Sequence, residues 1–105
     1  MKWIDVAKVD EFESGTARSI TVEDTKIAVF NVNGEFYAIE DACTHDFETL
    51  SGGEVDGYDV ICPWHGARFD LKTGEALAAP AYDPVATFST RMEDGIVQVA
   101  WTEDD

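Results

Sequence analysis

Cysteine and histidine are scarce in this 105-residue chain, with only two of each. Two cysteines allow at most one disulfide, so no disulfide framework can carry the fold. Basic residues are scarce too: 7 Lys and Arg stand against 22 Asp and Glu, for a net charge of −15. Such a chain repels nucleic-acid phosphates and anionic membranes, so neither is an expected partner. Basic protein surfaces are, and the like-charge density favours a monomer. No segment approaches the ~20 apolar residues of a membrane helix. The opening residues, Met1-Lys2-Trp3-Ile4-Asp5, lack the apolar run of a signal peptide. A cytoplasmic protein is therefore expected. At this length there is room for one domain and one core, and none for a second, catalytic domain.

Sustained helical periodicity is missing as well; what is present reads as short strands and tight turns. Apolar and β-branched stretches fall at Trp3–Val6, Ser19–Val22, Ile27–Val32, Phe36–Ile39, Tyr58–Ile61, Arg68–Leu71, Val85–Arg91 and Ile96–Trp101. Ile27, Val29 and Asn31 share one face by alternation, and so do Val97, Val99 and Trp101. Asn33-Gly34 between two such runs predicts a hairpin. Asp56-Gly57, Thr73-Gly74 and Asp94-Gly95 mark further turns. One helical turn is expected near Glu48–Leu50. The expected fold is all-β, an antiparallel sandwich or small barrel of eight to ten strands.

The segment 42–83 differs from its flanks. It is rich in Gly and Pro and holds every Cys and His. It reads as a loop-built subdomain on a β base formed by residues 1–41 and 84–105, shaped by a metal centre rather than by apolar core. The four residues form two pairs, Cys43-Thr44-His45 and Cys62-Pro63-Trp64-His65, with sixteen residues between His45 and Cys62. Each pair brings a thiolate and an imidazole together on one bent loop. Gly66 supplies the backbone freedom that the second turn needs. Two metals suit a Cys₂His₂ set: structural zinc or a two-iron cluster. Zinc fingers pair Cys with Cys and His with His, whereas here each loop supplies one of each.

The pattern Cys-x-His, spacer, Cys-Pro-x-His-Gly resembles the Rieske family, and the match runs on through Leu50, Ser51, Gly53, Phe69-Asp70 and Thr73-Gly74 to Pro80. The resemblance implies one [2Fe–2S] cluster per chain. Cys43 and Cys62 would hold the inner iron, and His45 and His65 the outer one. Replacing two thiolates by neutral imidazoles raises the potential. The Rieske proteins of respiratory bc-type complexes are similar but carry extra devices. A loop-bridging disulfide lies at positions matching Glu48 and Trp64, and Ser and Tyr hydroxyls lie at positions matching Ala67 and Phe69. This chain has none of them, so a potential near the low end of the Rieske range, about −150 mV, is expected.

Low potential without the disulfide resembles the ferredoxins of bacterial aromatic-ring dioxygenase systems. They carry electrons from an NADH-dependent flavoprotein reductase to a terminal oxygenase. A Rieske oxygenase itself needs a further mononuclear iron with two histidines and a carboxylate. The cluster would use both histidines of this chain, so a carrier rather than an enzyme is expected. A small electron-transfer or regulatory subunit, similar to that of assimilatory nitrite reductase, is the alternative.

Other residues carry weaker readings. Trp64 is either a lid over the cluster or an apolar contact for partners. Asp46 and Glu48 are placed to steer a basic partner. Ala79, Pro80 and Ala81 match a third loop that covers the cluster. Gly52, Gly53, Gly57 and Gly95 read as turn residues, and Tyr82 and Trp101 as packing.

Overall fold

The computed structural model describes residues 2–42, 49–63, 66–79 and 83–101. Strand β3 (Thr25–Val32) is its axis. Ile27 to Val32 are all buried. Alternation turns Ile27, Val29 and Asn31 to one side and Ala28, Phe30 and Val32 to the other. Neither side meets solvent, because each packs on a different core. That is why this strand reads as an almost unbroken apolar run.

β3 lies in a central antiparallel sheet between β2 (Ala17–Val22) and β4 (Glu35–Glu40), with β9 (Thr87–Phe88) at the far edge of β4. The β3–β4 hairpin closes at the expected turn, with Asn33 at φ 54° and Gly34 at φ 89°. An outer sheet has the order β1 (Lys2–Lys8), β11 (Ile96–Trp101), β10 (Thr90–Glu93). Its Val97 and Val99 meet Ile27, Val29 and Ala38, with Phe12 from the turn after a short 3-10 segment at Val9–Glu11. These two sheets form the expected sandwich. Trp101 packs as expected, stacked on Phe88 with ring centroids 6.1 Å apart.

The opposite face of the central sheet carries a third sheet, β5 (Glu54–Asp56), β6 (Asp59–Ile61), β7 (Arg68–Asp70) and β8 (Ala76–Ala78). Ala28, Phe30, Val32 and Ile39 pack there against Leu50, Val60, Phe69 and Leu71. The segment 42–83 therefore has a sheet of its own and shares an apolar core with the central sheet. This differs from the expectation that a metal centre alone shapes it. The three-residue strands β5 and β8 are too short to show alternation. Thr49 and Leu50 are not helical, and Glu48 lies outside the described residues. The expected single strand at Val85–Arg91 is broken at Ser89, which accepts a hydrogen bond from the Ala100 amide at 2.9 Å. The break lets the chain pass from the central sheet (β9) to the outer one (β10), a corner that joins two packed sheets.

Candidate metal centre

Cys62 is the one expected ligand among the described residues; Cys43, His45 and His65 lie outside them, as do Asp46, Glu48, Trp64, Pro80, Ala81 and Tyr82. Cys62 follows directly on β6 and is buried at 1% exposure. Its amide donates to the Ala67 carbonyl at 2.7 Å, and its own carbonyl accepts from Gly66 at 3.2 Å. These bonds hold the chain ends of β6 and β7 together at Cys62 and Ala67. Gly66 turns the chain at φ 75°, a conformation that other residues rarely adopt. Cys62 is therefore rooted in the core while Pro63 and Gly66 reach solvent.

Cys62 belongs to a buried cluster that includes Leu50, Val60, Ala67, Phe69, Leu71 and Val85. Ala67 and Phe69 are both fully buried, and Arg68 between them turns outward to Asp56 and Asp59 at 3.0 and 3.1 Å. No hydroxyl is offered at positions 67 and 69. A buried thiol in an apolar shell suits a thiolate-bound metal shielded from water. It fits the inner end of an iron–sulfur site.

Three stretches of chain converge at the end of β4. The first leaves at Asp41 and returns at Thr49–Leu50. Asp41 is buried and accepts hydrogen bonds from the amides of Leu50 and Ser51, both at 2.7 Å. The second is the Cys62 loop. The third follows β8 and returns through Val85, whose amide donates to Gly74 at 2.8 Å, to Ala86, whose carbonyl accepts from Glu40 at 2.9 Å. Two glycines allow this close assembly. A Cβ on Gly53 would stand 2.3 Å from the Ile61 carbonyl oxygen, and one on Gly74 2.1 Å from that of Val85. Gly53 is thus a packing residue as well as a turn residue. Sequence reasoning passed over Asp41; its signal was an acid two positions before Cys43, with Leu50-Ser51 downstream.

At the opposite end of the third sheet, Glu35 links β4 to the β5–β6 turn. Its Oε1 accepts from Tyr37 at 3.2 Å and from Tyr58 at 3.0 Å. The bond to Glu35, then its charge, push the Tyr58 hydroxyl above the usual phenol range. Burial leads the same upward shift at Tyr37, with the charge of Glu35 adding to it.

A family model for the Rieske [2Fe-2S] domain matches residues 2–89. The ferredoxin component of the naphthalene 1,2-dioxygenase system of Pseudomonas aeruginosa is 37% identical over 98 residues, covering 93% of this chain and 94% of that one. The 3-phenylpropionate/cinnamic acid dioxygenase ferredoxin subunit of Photorhabdus laumondii is 37% identical over 105 residues, covering 99% of each. Among solved structures, a chain from the complex of reduced oxygenase and oxidized ferredoxin in carbazole 1,9a-dioxygenase is similar, with a TM-score of 0.89 at 36% identity. It is covered to 92%, and this chain to 93%.

Proposed function

Because this chain belongs to the Rieske [2Fe-2S] family, we propose that it is a cytoplasmic, low-potential one-electron carrier of an aromatic-ring dioxygenase system. It takes electrons from an NADH-dependent flavoprotein reductase and hands them to a terminal oxygenase. One cluster per chain is held by Cys43 and Cys62 through sulfur and by His45 and His65 through imidazole. When bound, that cluster accepts and returns a single electron.

The observation that carries the reading is the setting of Cys62: a fully buried thiol next to Pro63 and close to Gly66, both exposed. Burial keeps water from the sulfur, and the exposed Pro63 and Gly66 bring this stretch within reach of a partner. Ala67 and Phe69 seal the inner side without offering a hydroxyl, so the negative charge gained on reduction meets fewer donors. The whole chain of 105 residues acts as one domain. With both histidines engaged, it transfers electrons and leaves substrate chemistry to its partner.

The test is spectroscopic. Purified protein is expected to be red-brown, to contain iron and acid-labile sulfide at two each per chain, and to give a Rieske-type EPR signal once reduced. Reduced protein should be re-oxidised by a purified terminal dioxygenase. A colourless protein with stoichiometric zinc would overturn the assignment.

A further inference from the structure

Among the described residues, Asp41 is the charged side chain that is fully buried. It stands just beyond β4 and two positions before Cys43. Its Oδ1 accepts from the amides of Leu50 and Ser51 at 2.7 Å each. Its Oδ2 accepts from the hydroxyls of Ser51 at 2.9 Å and Ser19 at 2.8 Å. Its own amide donates to the Lys26 carbonyl at 2.8 Å. A buried carboxylate is tolerated only when its oxygens are met in this way.

The other buried polar side chain among the described residues, Asn31, serves the base, donating to the Phe12 carbonyl and accepting from the Gly34 amide. The contacts of Asp41 go elsewhere. Three of its four side-chain bonds are made by Leu50 and Ser51, where the stretch that contains Cys43 and His45 returns to the core. Ser19 and Lys26, on β2 and β3, moor the other side. Leu50 then packs in the same core as Cys62. Departure and return of the first ligand loop are thus fastened to one carboxylate, and the return sits on the floor of the second loop. Fixing both ends removes loop freedom that the ligands would otherwise have to lose on binding metal.

We propose that Asp41 is a positioning residue, a clasp that sets the span of the first ligand loop and so places Cys43 and His45 relative to Cys62. The inference rests on the cluster reading above.

Two variants separate the clasp from the charge. Asp41→Asn keeps an oxygen for the two amides and turns an NH₂ towards two hydroxyls, which can rotate to accept. Asp41→Ala removes every acceptor and strands the Leu50 amide in the core. The measurements are anaerobic iron release to a chelator, the EPR g-values of the reduced protein, and amide hydrogen exchange at Leu50 and Ser51. For Asp41→Ala we expect iron release and exchange at both amides to quicken on the order of tenfold. Its g-values should shift, while amides of β3 and β11 keep their protection. Asp41→Asn should stay within about twofold of the parent with parental g-values.

Parental iron release and g-values in Asp41→Ala would overturn the inference. So would an Asp41→Asn variant as damaged as Asp41→Ala, because charge rather than acceptor geometry would then matter. If Asp41→Ala does not fold, the Ser19→Ala/Ser51→Ala double variant decides. It should release iron roughly threefold faster, and unchanged release would count against the clasp. A parent protein without iron and sulfide would instead defeat the cluster reading, and exchange at Leu50 and Ser51 would still report on the clasp.

Discussion

On the proposed cluster reading, Ala67 and Phe69 set how the Cys62 end of the site meets added charge. Both are fully buried, and Ala67 is tied to Cys62 across the loop base. A hydroxyl introduced at either position enters a buried site and must find an acceptor, and the Cys62 sulfur lies in the same core cluster. A donor aimed at sulfur stabilises the reduced, more negative state over the oxidised one. A net hydrogen bond is worth roughly 1 kcal/mol. For a one-electron couple, with about 59 mV per tenfold, that is on the order of 40 mV. Ala67→Ser and Phe69→Tyr are therefore each expected to raise the midpoint by about 40 mV from a parent near −150 mV. Redox titration of the visible spectrum measures this. An unchanged midpoint together with lowered stability would mean that the new hydroxyl bonds backbone instead. A clearly positive parental midpoint would remove the premise.

Elements differ in what they ask of their turns, and two glycines show it. Gly34 (φ 89°) closes the β3–β4 hairpin, and a Cβ there meets nothing within 4 Å. Gly74 (φ 79°) leads from β7 to β8, and its Cβ would press on the Val85 carbonyl, where the third loop returns. Gly34→Ala should cost only the left-handed strain, about 1–2 kcal/mol, and leave the metal centre alone. Gly74→Ala adds a clash of backbone with side chain, so Val85 must move. It should lose clearly more stability than Gly34→Ala and also shed iron faster. Thermal melts and chelator release measure the two losses. Equal behaviour of the two variants would show that the third loop is anchored elsewhere.

The same contrast explains what could be read in advance. Hairpins with a turn dipeptide and alternating flanks, such as Ile27–Val32 with Phe36–Ile39, were legible because local chemistry sets them. The candidate ligands stood out because thiol and imidazole are rare here and each sits in a spaced pair; of the four, Cys62 lies among the described residues, buried in the core. Other features depend on distant partners. β5 and β8 exist because β6 and β7 offer them edges. The Ser89 corner exists because two sheets must share one strand. Asp41 is a single acid among 22, and only the fold brings Leu50, Ser51 and Ser19 to it.

At the scale of the whole molecule, charge has two opposed consequences. The net charge is −15, and several basic side chains are occupied within the chain. Arg68 bridges Asp56 and Asp59, Lys72 lies 3.9 Å from the centre of the Tyr58 ring, and Arg91 stacks 4.3 Å from that of Trp3. Acids are left facing outward, among them Asp10, Glu11 and Glu13, Glu23 and Asp24, and Glu93 and Asp94. This excess repels itself in the folded state and attracts a basic partner surface. Screening weakens both effects, since the Debye length falls from roughly 30 Å at 0.01 M salt to about 10 Å at 0.1 M. Raising salt across that range should therefore lift Tm by several degrees. It should also slow electron delivery to the oxygenase by roughly tenfold or more at low protein concentration, where encounter limits the rate. Melts and stopped-flow traces on the same samples compare the two. A rate indifferent to salt would mean that contact is made through apolar groups rather than charge. A Tm that falls with salt would mean that internal pairs such as those of Arg68 outweigh the repulsion of the acids, which exposed ion pairs of this kind rarely do.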